Sequence, residues 1–204
     1  MDIQEYLRDP CGTSSLPYWK AETLTTPKHI KIIHGRDWKG QFRDYQRFFR
    51  VKHSWNNLAP IDFDYDTISI DYQTKELAEM INASYIGENI AVSEDDILQW
   101  KKHETFREEL CIYINSDGGK PVASGIAEYD SVCREGIIEW VQVLPEYRGK
   151  GYGKKIVTVL LNKLKKMGAE FATVSGNLDN TSNPLEMYKK CGFAGSDVWY
   201  ICRC

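Results

Sequence analysis

The sequence predicts an α/β (α+β) fold: a mixed, mostly antiparallel sheet flanked by helices, carrying an N-terminal extension. Three observations predict it. Hydrophobic spacing from about residue 63 onward changes repeatedly between the two-residue period of strands and the three- and four-residue steps of helices. Three consecutive strand-like runs, "ELCIYIN", "VASGIAEYD" and "GIIEWVQVLP", are joined by short turn-rich links, which is the pattern of an antiparallel meander. After the meander the order becomes helix, strand, helix, strand, so helices must pack on a sheet.

The elements can be justified in order. Residues 1–62 are rich in aromatics but poorly periodic; "DPCGTSSLPYWK" and "LTTPKHIKIIHGRDWKG" read as turns and short extended pieces. Within them "KHIKII" reads as one strand and "FRDYQRFFRVKHSW" as a short helix. Residues 63–204 form the regular domain. "YDTISIDY" alternates and reads as a strand. "TKELAEMINASYIG" reads as a helix with a Thr cap, an apolar stripe of Leu77, Met80, Ile81 and Ile86, and a stop at Gly87. "SEDDILQWKKHE" opens with Ser93 and Asp96 at capping-box spacing. After the meander, Ile156, Val157, Leu160, Leu161, Leu164 and Met167 make one apolar helical stripe. "EFATVSG" is a strand. "NPLEMYKKCGF" is a helix with Pro184 in its first turn and Gly192 at its end, and "DVWYICRC" closes as a strand.

Composition narrows the function. With 26 Lys plus Arg against 29 Asp plus Glu, the net charge of −3 lacks the cationic footprint that broad nucleic-acid binding requires. No apolar run approaches the ~18 residues of a membrane span, and "MDIQEYLRDP" has the character of neither a signal nor a transit peptide, so a cytoplasmic protein is expected. The six cysteines form no C-x-x-C pair and no histidine completes a zinc set with Cys202 and Cys204; reduced thiols and no bound metal are expected.

The chemistry concentrates in "EWVQVLPEYRGKGYGKKIVTVLLNKL", residues 139–164. A strand ends near Leu144–Pro145 and a helix begins within "GKGYGKK". The first turn of a helix has amides without internal partners and about half a positive charge. Glycines let such amides converge and keep side chains out of the way, so the loop can form an anion socket of phosphate size. Arg148, Lys150, Lys154 and Lys155 add attraction. The alternative is a sharp strand-to-helix turn with a solvated cationic rim. A P-loop fits poorly, since Lys154 is followed by Lys155 rather than Ser or Thr, and a dinucleotide fingerprint fails because the third glycine comes one residue early.

Arg148-Gly149-Lys150-Gly151-Tyr152-Gly153 resembles the R/Q-x-x-G-x-G/A signature of the GNAT superfamily of acyl-CoA-dependent N-acetyltransferases. "VQVLPEYRGKGYG" looks like the family's run from its fourth strand to its third helix, and "LEMYKKCGF" resembles the Y-x-x-x-G-F ending of its last helix. The element order from about 65 to 204 is similar to the family's; residues 1–62 are not covered.

The resemblance implies a set of roles. The backbone from Arg148 through Gly149, Lys150, Gly151, Tyr152 and Gly153 to Lys154 would hold the pyrophosphate of acetyl-CoA. Val141, Gln142 and Val143 would hold the pantetheine arm like an added strand, with Gly176 letting the next strand bend away. Tyr188 would protonate the departing thiolate; its other reading is a packed aromatic on an amphipathic helix. Glu139, placed by the two-residue period on one face with Val141 and Val143, would act as base, act through water, or bind the acceptor ammonium. Ile137 stands where some relatives have the base, and Glu128 is the alternative carboxylate. Asn183 and Asn180 would either face the CoA arm or cap the last helix. Trp140, Trp100, Tyr85 and the extension would line the acceptor cleft or simply pack, and the extension could instead make a dimer contact. The implied partner is a small-molecule or peptide amine, and the protein a monomer or homodimer. Two other readings are a non-catalytic acyl-CoA-binding regulatory module and a nucleotide-binding protein using the glycine loop.

Overall fold

The computed structural model describes residues 1–86 and 90–204. Three short helices open the chain: α1 (Ile3–Arg8), α2 (Pro10–Thr13) and α3 (Tyr18–Thr23). Strands β1 (Ile30–His34), β2 (Tyr45–His53) and β3 (Asp66–Thr67) follow, then helices α4 (Thr74–Ser84) and α5 (Glu94–Trp100). The meander is β4 (Phe106–Asn115), β5 (Pro121–Asp130) and β6 (Glu135–Val143). The chain ends with α6 (Tyr152–Lys166), β7 (Phe171–Asn177), α7 (Pro184–Lys190) and β8 (Ala194–Arg203). All eight strands form one sheet in the order β1-β8-β2-β7-β6-β5-β4-β3. Every pairing is antiparallel except β6 with β7, which run parallel.

Several expectations meet their elements. Ser93 and Asp96 form a reciprocal capping box on α5. Pro184 sits in the first turn of α7, and Gly192 follows its end. Four expectations need correcting. "FRDYQRFFRVKHSW" is not a helix but contains β2, in the middle of the sheet between β8 and β7. Its residues explain this: Phe49 and Val51 turn into one core, while Arg50 turns to the opposite face, a period of two dense in aromatic and β-branched side chains. The strand expected over 65–72 keeps only Asp66–Thr67, after which Ile68 and Ile70 turn into the core. Thr74 does not cap α4; Gln73 is the cap residue and makes no side-chain capping bond. Leu77 and Ile81 are buried as expected, but Ile86 lies past the helix and is 79% exposed. The stop expected at Gly87 lies outside the described residues.

Two cores sandwich the sheet. Ile156, Leu160 and Leu164 of α6, with Tyr188 of α7, pack on Leu110, Ile112, Ala123, Ile138 and Val174. Leu77 and Ile81 of α4 and Ile97 of α5 pack with Cys111 and Ile126, on the opposite side of β4 and β5. The alternation Cys111/Ile112 and Ile126/Ala127 between the two clusters is the strand period read directly.

The first helices are fastened to the sheet by a buried polar network. Arg50 (1% exposed) donates from Nη2 to Glu135 Oε1 at 3.1 Å, and Glu135 (0%) also accepts from Tyr6 at 2.7 Å and Thr173 at 2.5 Å. Arg50 donates further to the Pro10 carbonyl and Ser175 Oγ. Burial raises the Glu135 carboxyl above its ordinary value, with Arg50 opposing that rise. A desolvated ion pair stands only when its remaining donors and acceptors are satisfied, and here α1 and α2 supply two of the partners.

Candidate active site

The junction of β6 and α6 has the geometry of an anion socket. The Arg148 amide is spent on the Pro145 carbonyl at 3.2 Å, and the first amide to bond back within the turn is that of Lys155, to Gly151 at 3.1 Å. Between them the amides of Gly149, Lys150, Gly151, Tyr152, Gly153 and Lys154 meet no acceptor among the described residues. Gly149 and Gly151 have φ of +75° and +87°, and a Cβ at either would stand in open space. Those two left-handed residues turn successive amides the same way without a side chain intruding. The residues present therefore fit a diphosphate. The Arg148 side chain does not point into this turn: it donates to the Val143 carbonyl (3.3 Å) and to the Ser84 carbonyl, tying the end of β6 to α4. Lys150 lies over the Tyr147 ring at 4.9 Å.

Beside the socket, β6 has an unpaired edge. Its parallel ladder with β7 runs from Glu135↔Phe171 to Ile138↔Val174 and stops. Beyond that point β7 continues against β2, with Gly176 opposite Phe49, while β6 from Glu139 to Val143 is paired only with β5. A Cβ on Gly176 would lie 2.5 Å from Phe49 Cζ, so the glycine is what lets the Phe49 ring sit there. The two strands thus part after Ile138 and Val174, leaving that edge of β6 without a strand partner on its way to the glycine turn. Gln142 points its side chain away from it, donating to Ser124 Oγ at 2.5 Å, so only its backbone faces this edge.

Tyr188 is 7% exposed and edge-packed on Phe49 and Phe193. Its hydroxyl has no hydrogen-bond partner among the described residues. Burial, then the neighbouring Tyr85 phenol, raises it well above the ordinary tyrosine value, so it is a protonated phenol at neutral pH. Tyr85 in turn donates to the Val141 carbonyl at 3.3 Å. Asn183 does not cap α7: it has φ +49° and makes no capping bond, while Asn180 Oδ1 accepts from Ser182 N and Oγ at 2.9 and 2.7 Å.

The strand period misplaces Glu139. Ile126 pairs with Trp140 and Ala127 with Ile138, so Glu139 is the extra residue of a β-bulge. Val141 and Val143 pack on the α6 side, whereas Trp140 packs on the α4–α5 side against Tyr85 and Trp100. The Glu139 carboxylate is bonded by Lys20 Nζ at 2.5 Å and lies close enough to Glu128 for its charge to act there. Glu128 is 4% exposed and takes His103 Nδ1 at 3.0 Å; its Oε2 is unpartnered among the described residues. Burial and then Glu139 raise the Glu128 carboxyl, and His103 opposes them. Trp19 packs tilted on His103 with ring centroids 4.8 Å apart.

Tyr188 packs on Phe49, which faces Gly176 of β7, while Val141–Val143 lead along the unpaired edge of β6 into the 149–154 turn and Glu139 stands at the other end of that edge beside Glu128. Sequence reading missed Lys20, Trp19 and His103. The first two lie in a segment without usable periodicity. His103 follows the end of α5, where only its proximity to Glu128 gives it meaning. No cluster of three or more His, Cys, Asp or Glu among the described residues is placed to hold a metal.

A sequence model described as "Acetyltransferase (GNAT) family" matches residues 74–193. No curated protein sequence matches the chain. Among solved structures, a GCN5-related N-acetyltransferase from Sphaerobacter thermophilus superposes with TM-score 0.66 at 13% identity, over 78% of this chain and 51% of the other. A GNAT-family acetyltransferase from Colwellia psychrerythraea gives 0.63 at 15%, over 84% and 63%. The ribosomal-protein-S18-alanine N-acetyltransferase of Escherichia coli gives 0.54 at 14%, over 68% and 90%. At these identities the likeness is one of fold, and the chain spans about half the length of the Sphaerobacter protein.

Proposed function

This chain belongs to the GNAT acetyltransferase family, and on that premise we propose that it moves an acetyl group from acetyl-CoA to a primary amine by direct attack in a ternary complex. The observation that carries the reading is the run of open amides from Gly149 to Lys154 lying next to the unpaired edge of β6. Acetyl-CoA, when bound, supplies a thioester activated toward amines. The Gly149–Lys154 amides bind its diphosphate, helped by the dipole of α6. The Val141–Val143 backbone pairs with its amide-bearing arm as an added strand would. Tyr188, kept protonated by burial, donates toward the leaving sulfur. Asn183, at the start of α7 with its side chain uncommitted to capping, would face the same arm.

An alkylamine has a pKa of about 10, so it must lose a proton before attack. Glu139 and Glu128 draw the ammonium to the far end of that edge and accept that proton, directly or through water. Two neighbouring carboxylates suit a cationic acceptor, either a small-molecule amine or the amine of a peptide. The reading has no place for nucleic acid or membrane, in keeping with the net charge and with the lack of any described helix long and apolar enough to span a bilayer. The proposed setting is cytoplasmic, as a monomer or homodimer with the extension part of the same assembly. The alternative, a non-catalytic acyl-CoA-binding module, draws on one observation: Lys20 already occupies Glu139.

The test is CoA release measured over a library of amines, with acetyl-CoA affinity measured alongside. Turnover on a cationic amine is the expected result. Tight binding with no release on any amine would favour the module, and stabilisation by ATP but not acetyl-CoA would end both readings.

A further inference from the structure

We propose that Lys20 is an internal acceptor: the protein acetylates its own Lys20 Nζ, and this modification loosens the helix that covers the acceptor end of the unpaired β6 edge. The inference rests on the acetyl-transfer reading above.

The amine is already where an acceptor has to be. Glu139 lies at the point where the β6–β7 ladder has ended, at the end of the unpaired edge farthest from the glycine turn. An arm lying along β6 from Val143 to Glu139 travels four residues, about 13 Å at ~3.3 Å per residue. Lys20 Nζ is 2.5 Å from Glu139 Oε2, and the two side chains are 19% and 20% exposed. They are neither sealed in the core nor free in solvent. The carboxylate that would accept an incoming amine's proton is thus already bonded to an amine of this chain.

Helix α3 is held there by side-chain contacts more than by its own stability: Lys20 and Trp19 reach the carboxylates, the Tyr18 amide and ring reach Glu135 and Tyr6, and Glu22 pairs with the N-terminal ammonium of Met1. It has six residues, no fully buried side chain and no side-chain capping bond at Pro17. Helices this short do not persist alone. Its two adjacent residues reach the two carboxylates separately: Lys20 bonds Glu139, and Trp19 packs on His103, which bonds Glu128.

The transfer balances without a further reagent. Glu139 takes one proton from the Lys20 ammonium. The neutral nitrogen attacks the thioester carbonyl carbon; the C–N bond forms and the C–S bond breaks. Of the two protons the nitrogen loses, one ends on the CoA sulfur through Tyr188 and the other goes to solvent. The products are N-acetyl-Lys20 and free CoA thiol. The acetylated side chain has no charge to offer Glu139, so the ion pair is lost and the Lys20 part of α3 loosens around its remaining Tyr18 and Trp19 contacts, opening Glu139 to an external amine.

The experiment incubates the full chain with acetyl-CoA and no added amine. Peptide mapping follows every lysine over time at two protein concentrations. Amide hydrogen exchange follows residues 18–23, and calorimetry reports acetyl-CoA binding. Lys20 is expected to gain one acetyl group at least about tenfold faster than any other lysine, as a positioned amine should. The rate constant should not change on dilution, and exchange in α3 should rise as labelling proceeds. The Lys20→Arg variant should show no gain at that position. Acetyl-CoA binding and amine turnover with Lys20 labelled no faster than other lysines would overturn this inference alone. A rate that scales with protein concentration would likewise overturn it, by showing transfer between molecules. No binding of acetyl-CoA would overturn it together with the proposed function.

Discussion

The two halves of β6 are built to opposite rules. From Glu135 to Ile138 the strand is paired on both sides, and its one charged side chain is wholly enclosed by Arg50, Tyr6 and Thr173. From Glu139 to Val143 it is paired on one side only, begins with a bulge, and runs into six amides with no acceptor. The turn residues 149–154 are exposed or half-exposed, so water takes up their amides until a ligand replaces it. The closed half shows that this chain can satisfy even a buried ion pair. The open half is where the proposed function seats the coenzyme.

The largest effect should come from breaking the closed half. Arg50→Met removes the cation and leaves Glu135 buried, which should cost about 3–5 kcal/mol, read as a fall in melting temperature. Burial raises the Glu135 carboxyl and Arg50 opposes that rise, so without Arg50 the folded-state pKa climbs further and the variant loses more stability than wild type as pH rises. The deficit should therefore be smallest in acid and grow toward neutral pH; a pH-independent loss would mean that the charge is not the cause. In the open half, Tyr188→Phe should lower turnover by at least about a hundredfold while leaving acetyl-CoA affinity within about twofold, the size of one weak contact. A large loss of affinity at unchanged turnover would instead make Tyr188 a packing residue. The smallest of the three is Gly151→Val. A β-branched residue at φ +87° costs about 1–2 kcal/mol in that conformation, so the turn should relax and acetyl-CoA affinity fall by about tenfold with the fold intact. Unchanged affinity would place the diphosphate elsewhere.

How much of this was legible varied by region. The meander, α6 and α7 announce themselves through long apolar stripes and through Gly and Pro at their ends, signals that act within a few residues. The glycine turn was legible for the same reason. β2 was not: its aromatic run reads as an amphipathic helix until β7 and β8 are placed on either side of it. The role of Glu139 was only half legible, because a bulge is set by pairing with β5 and the period of two carries no trace of it. Lys20 and His103 were invisible as site residues, since each matters only through a partner far away along the chain, Glu139 for the one and Glu128 for the other.

By itself the sequence determined the order of helices and strands from residue 63 onward and the character of the turn at 148–154. Those follow from local preferences of the backbone and from burial patterns that repeat within a few residues. Only the tertiary structure decided that the first helices and β2 join the same sheet, that β6 and β7 part after Ile138, and that a lysine from α3 meets the carboxylate at the bulge. Contacts of that kind join residues more than a hundred positions apart, and no local spacing encodes them.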